Sequence, residues 1–335
     1  GGGHTAVGVR VLGGTTSSSR IQPNISGTAP NGRRSRFRIA GNTIDVTTSV
    51  GTNPANGVHF TYADPQLSGG GTLEIIDNTI HTAFKGSVPQ TRAIVLENSP
   101  LSVSSGGALL IANNTMMSTV STSPTGADEE QLVCILLDIP VTITSTSAGA
   151  PSTVVVRDNN CMINTANAPP IIGISIATTS WELDGAGSLM AIDANTIAPP
   201  TTVLVDSFVG ISILCSLRPT GNAALSMSDN RINIIAAKQA IGIRKGKGGN
   251  SIFTPWLTKS EFRVVRNTIS VKATSRSDLS ATAIGLHVLG HKSIFHKEGA
   301  AHMIDNNTFF LSGGRKRYGM HIPFSGHIED GSSLS

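Results

Sequence analysis

Arg244, His287 and His321 each stand two places after a glycine in a recurring Gly–apolar–x–apolar motif. The clear copies are Gly57-Val58-His59-Phe60, Gly173-Ile174-Ser175-Ile176, Gly210-Ile211-Ser212-Ile213, Gly242-Ile243-Arg244, Gly285-Leu286-His287-Val288 and Gly319-Met320-His321-Ile322. Gly8-Val9-Arg10-Val11 precedes them, and Ala93–Leu96 and Val133–Leu137 fill the same slot less regularly. Stacked copies would line up His59, Val95, Leu136, Ser175, Ser212, Arg244, His287 and His321, so the last three become neighbours about 4.8 Å apart. The flanking residues are the apolar ones, which predicts that this column faces outward. Two stacked imidazoles can bind a metal ion or do acid–base work. No carboxylate joins them: Glu97, on the same side of its strand, lies several turns away. Glycoside hydrolysis needs a carboxylate pair at a set separation, so exposed surface histidines are the simpler account of this candidate site.

Other chemistry is harder to assemble. Asp77, Asp158 and Asp229 each precede a recurring asparagine in alternate repeats. That places them about 10 Å apart, near the separation of an inverting carboxylate pair. Asp beside Asn is also ordinary turn chemistry, and Asn113 and Asn306 fill the same slot. His291, His296, His302 and His327 have irregular spacing that matches no metal motif. The glycine-rich stretch 246–249 lacks the Lys-Ser/Thr of a phosphate loop, and no nucleophile elbow occurs. No catalytic residue is therefore assigned, and neither metal nor cofactor is expected. Asn24-Ile25-Ser26, Asn113-Asn114-Thr115 and Asn306-Asn307-Thr308 are glycosylation sequons for a secreted chain.

The elements that must position these residues repeat. An asparagine returns at Asn42, Asn78, Asn114, Asn159, Asn195, Asn230, Asn267 and Asn307, in steps of 36, 36, 45, 36, 35, 37 and 40. Around each one the apolar residues stand five and three places before and two places after, as in Leu73, Ile75 and Ile80. A fixed period in this range marks a stacked repeat. The short alternating runs, rich in β-branched residues and bounded by Gly, Ser, Thr and Pro, are strands and not helices. Three short strands per turn, stacked in parallel, make an all-β right-handed parallel β-helix of about eight turns in one domain spanning residues 1–335. The asparagines would form a side-chain ladder at one corner, in the αL conformation that Asn tolerates.

Composition agrees with many strands and tight turns: 14% of residues are charged and 4% aromatic. The net charge of +4 is mild. The basic clusters at Arg33, Arg34 and Arg36, at Arg244–Gly248 and at Arg315–Arg317 are read as solvated loops, with no nucleic-acid partner. No run of ~18 apolar residues exists to span a membrane. Cys134, Cys161 and Cys215 are an odd, sparse set and are not read as a disulfide framework. Cys161 stands where other repeats carry Ile or Met and reads as a small core residue. A Cys134–Cys215 bridge would span about two repeats, roughly 9–10 Å, beyond the ~7 Å Cα limit.

The strand, asparagine corner and strand, with a glycine-rich return, resemble the parallel β-helix repeat of pectin-lyase-like proteins over nearly the whole chain. That resemblance implies the fold and, as an alternative function, a polysaccharide lyase or glycoside hydrolase. The low charge, the Ser/Thr/Gly richness and the degenerate repeat also resemble the large trypanosomatid surface proteins of the dispersed gene family. Ladder and core are accounted for by folding alone, so the leading expectation is non-enzymatic: a structural or adhesive segment of an extracellular surface protein that contacts glycans or proteins. With repeat-like sequence at both termini and no polar cap, flanking repeats or neighbouring subunits are expected to stack on the open ends.

Overall fold

The computed structural model describes residues 6–13, 23–27, 34–48, 54–85, 91–120, 132–145, 150–165, 170–177, 180–198, 205–246, 260–275, 278, 280–289, 294–295, 301–322, 327–328 and 333–334. Among these the regular elements are all strands, and each pairs in parallel with its counterpart one repeat away. They build a parallel β-solenoid of four stacked sheets, with a further two-stranded sheet of Ile294–Phe295 and His327–Ile328. One turn illustrates the sequence logic. Thr72–Ile76 runs into the Asp77-Asn78 corner, Thr79–Phe84 leaves it, Thr91–Glu97 carries the glycine-type motif, and Leu101–Ser104 returns toward Ala108–Ala112. In Thr79–Phe84 alternate residues are buried, with Ile80, Thr82 and Phe84 facing the core. This period of two is the reason the segment is a strand.

Sheet I holds the glycine-motif strands, from Ala6–Leu12 to Lys316–His321, nine in all. Sheet II holds six short strands, from Asn24–Ser26 to Ser216–Thr220. Sheet III enters the asparagine corner and sheet IV leaves it, with nine and eight strands. The expected three strands per turn are therefore four. Sheet II was missed because its strands have only three to five residues, too few for alternation to register. The expected eight turns become about six complete ones, because sheet II has no described strand after Ser216–Thr220.

The corner works differently from expectation in one respect. The residue in the left-handed conformation is the one before each asparagine: φ is 57° at Asp77, 56° at Asn113, 55° at Asp158, 57° at Asp229 and 67° at Gly41. This accounts for the Asp, Asn and Gly found there, which tolerate αL best. It frees each ladder asparagine to turn its amide inward. Each donates its backbone N–H and its Nδ2 to Oδ1 of the next asparagine, as Asn78 does to Asn114 at 3.1 and 3.0 Å and Asn159 to Asn195 at 3.1 and 3.0 Å. The second Nδ2 proton goes back to a carbonyl of the turn before, Ile39 for Asn78 and Ile111 for Asn159. The chain of bonds runs unbroken from Asn42 to Asn307. All the buried polar atoms at the corner thereby find partners.

The glycine column has a packing reason as well. A Cβ on Gly57, Gly173, Gly210 or Gly242 would strike the isoleucine two places after the next turn's asparagine: Ile80, Ile197, Ile232 and Ile269. Glycine and that isoleucine are thus matched across the core. In the fourth turn Cys134 takes the glycine slot and Cys161 the isoleucine slot, and they form a disulfide with Cα atoms 6.1 Å apart. This corrects the reading of Cys161 as a core residue only: the two columns already face each other within bridging distance. Cys215 is free and buried.

Candidate functional site

The structure brings Arg244, His287 and His321 together as neighbours on successive strands of sheet I. The rings of His287 and His321 have centroids 4.9 Å apart, and Tyr318 stacks on His321 at 4.7 Å. Arg244 Nε donates to Ser212 Oγ at 3.1 Å, one rung down. The column does not face open solvent as expected: Arg244 and His287 are buried. Sheet I also carries a second apolar cluster, made of Val95, Val133, Leu136, Ile172, Val209, Ile241 and Ile284. These residues stand one place before and two places after the glycine, so the strand is apolar on both faces.

Burial decides the electrostatics of the pair. Desolvation, with His321 and Arg244 nearby, lowers His287 to about 4, so the ring is neutral at ordinary pH. Both ring nitrogens of His287 and Nδ1 of His321 are buried and accept or donate no hydrogen bond within the protein. Unpartnered buried imidazole nitrogens are costly, and here they belong to two rings on adjacent rungs. Tyr318, part exposed, fixes the plane of the outer ring.

A second polar group at the other end of the same face was missed. His59 Nε2 meets Glu97 Oε1 at 2.8 Å, Arg92 Nη1 meets Glu97 Oε2 at 3.2 Å, and His59 Nδ1 faces Asn56 Nδ2 at 3.4 Å. The His59 bond holds the Glu97 carboxyl below its usual range. The repeat contained the signal: Glu97 pairs with Thr61, two residues beyond His59 on the preceding rung. Both nitrogens of His59 have neighbours, while Asn56 Oδ1 and Arg92 Nε are buried without a hydrogen-bond partner. Lys245 is a further surprise, set in the inward column between Ile213 and Val288. Its Nζ donates to the Cys215 carbonyl at 3.2 Å, and burial lowers it to about 8 while raising Cys215 to about 11.

No protein-family model matches the chain, and no curated protein and no solved structure shows detectable similarity to it.

The remaining candidates take structural or surface positions. Asp77, Asp158 and Asp229 are exposed at the αL corner, each beside an arginine: Arg38, Arg157 and Arg266. The Arg266 fork holds Asp229 below the ordinary carboxylate range. The sequon asparagines Asn24, Asn113 and Asn306 are all exposed. His291, His296, Arg33 and residues 247–249 lie outside the described residues. Among the described residues no group of three or more His, Cys, Asp and Glu side chains could hold a metal ion, and no helix is long and apolar enough to cross a membrane.

Proposed function

We propose that this chain is a structural or adhesive segment of an extracellular surface protein, meeting glycans or other proteins through its faces and loops. The observation that carries the reading is the Cys134–Cys161 bridge. Disulfides persist in oxidising compartments and are rare in the cytosol. The continuous asparagine ladder supports it, since a stack locked at one corner suits a rigid spacer. The exposed sequons are compatible with glycosylation along the secretory route.

Neighbouring repeats or a second copy are the expected partners at the two ends of the stack. Leu12 and Phe37 are exposed on the first turn, and Phe310 and Met320 on the last. The ladder is polar along its axis: Asn42 offers a free Oδ1 acceptor at one end, and Asn307 carries donors at the other. Those ends are complementary, which favours head-to-tail continuation.

A pectin-lyase-like polysaccharide lyase or hydrolase is the second reading, favoured by the unpartnered imidazoles beside Arg244. One screen separates the two: acidic and neutral polysaccharides offered to the purified chain, with and without Ca²⁺, with both binding and product formation measured. Binding without product is expected. Product that disappears in Arg244→Ala or His287→Ala would replace the adhesive reading with an enzymatic one.

A further inference from the structure

We propose that Asn56, His59, Arg92 and Glu97 form a binding site for a hydroxyl group of a neutral sugar, with Arg92 Nε donating to that hydroxyl and Asn56 Oδ1 accepting from it. The proposal deepens the adhesive reading and rests on it for the choice of a glycan as the source of the hydroxyl. Its basis is a ring of polar side chains on two adjacent strands, Ala55–Thr61 and Thr91–Glu97. Three sides of the ring are closed. Asn56 Nδ2 lies 3.4 Å from His59 Nδ1, His59 Nε2 lies 2.8 Å from Glu97 Oε1, and Arg92 Nη1 donates to Glu97 Oε2 at 3.2 Å. The fourth side joins Arg92 to Asn56, which are partners in the parallel register. It carries one acceptor, Asn56 Oδ1, and one donor, Arg92 Nε, both buried and without a hydrogen-bond partner in the protein. Asn56 is fully buried, and leaving both groups unmet is costly.

The open side sets the chemistry of the ligand. Paired residues on neighbouring strands stand about 4.8 Å apart. Two hydrogen bonds of about 2.8–3.0 Å that meet at one atom span such a gap. That atom must accept from Arg92 and donate to Asn56, and a hydroxyl oxygen does both. A carboxylate, sulfate or phosphate brings no proton for Asn56 and would meet the Glu97 carboxylate. A metal ion brings no acceptor for Arg92 Nε and would meet the guanidinium. Charge inside the ring is balanced. The hydrogen bond from His59 holds Glu97 below the usual carboxylate range, and Arg92 is its counter-ion. The charged neighbours in register are Arg10, beside His59, and Asp138, beside Glu97, and they are opposite in sign. Nothing here selects a charged ligand. The Arg92 and Glu97 side chains are 15% and 23% exposed, so a sugar reaches the ring from that edge, and a second hydroxyl of the same sugar donates to a remaining lone pair of Glu97.

The test is a titration of the full chain with methyl α-glucoside, methyl α-galactoside and methyl α-mannoside, read by NMR at the Asn56 side-chain amide, the Arg92 Nε–H and the His59 ring. At least one glycoside is expected to move all three signals saturably, with a Kd on the order of millimolar. Asn56→Leu removes the acceptor, and Arg92→Lys keeps the charge but removes the Nε donor. Each should weaken binding by about tenfold or more. Hydrogen-exchange protection of Ala55–Thr61 and Thr91–Glu97, measured on each variant, separates loss of binding from loss of folding. Unchanged affinity in both folded variants would overturn the site. Signals of the wild type that ignore all three glycosides would overturn it too, and a long-lived water detected at Arg92 Nε–H would then be the group that closes the ring. The polysaccharide screen distinguishes that failure from failure of the reading beneath it: a chain that still captures a polysaccharide holds it elsewhere, and a chain that captures none has lost its glycan partners altogether.

Discussion

At the scale of the residue, His287 makes the sharpest statement. Its folded-state value is lowered to about 4, against an ordinary histidine near ~6.5 in the unfolded chain. Between those values the unfolded chain binds the proton and the folded chain does not. Stability must therefore rise with pH across that window and level off above it. Denaturant midpoints taken at about pH 5 and about pH 7 should differ in the wild type, and His287→Gln should remove part of that difference. An identical rise in the variant would mean that His287 is not buried in neutral form. The order of the column was legible because a glycine marks it in almost every repeat. Its burial was not, since alternation tells which side of a strand a residue takes and not whether that side is covered. The same limit hid Lys245, whose place in the inward column looks like an interruption of the apolar pattern.

At the scale of the element, the corner carries the stack. Oδ1 of Asn159 accepts from Asn114 N and Nδ2, and its own Nδ2 serves Ile111, Arg157 and Asn195. Asn159→Ala leaves a buried Asn114 N–H without an acceptor and should cost about 2–4 kcal/mol. Asn42 is exposed on the first rung, so Asn42→Ala should cost only about 1 kcal/mol or less. Equal losses in urea melts would contradict a ladder that strengthens inward. Sequence reached this element well because the asparagine and its three apolar companions recur in every turn but the last, where His302 takes the first apolar place. It misplaced the αL residue by one position. Asp, Asn, Gly, Ala and Arg all occur there, so the type varies while the conformation persists. Sheet II stayed invisible for want of length: Leu101–Ser104 buries only Leu101 and Val103.

At the scale of the whole molecule, each turn depends on its neighbours, and the fourth turn is the one tied covalently. Cys134 and Cys161 enclose a loop of 27 residues in sequence separation, and a loop of that size is stabilised by about 3 kcal/mol when closed. Cys134→Ser with Cys161→Ser should lose about that much. Cys134→Gly with Cys161→Ile should regain part of it, because that pair restores the glycine–isoleucine match of the other turns. A double serine variant as stable as wild type would mean the bridge is absent. The pairing was legible in retrospect from the repeat alone, since one cysteine replaces the recurring glycine and the other the recurring isoleucine. Counting cysteines hid it, because an odd number argues against a framework but not against a single bridge.

Register across the core and the proposed residence in an oxidising compartment meet in one observable. Peptide mapping of the non-reduced chain, recovered from the medium of secreting cells, reads it directly. The account predicts a Cys134–Cys161 linked peptide and an unmodified Cys215. Three free thiols, or a bridge that includes Cys215, would contradict both the stacking register and the extracellular location we propose.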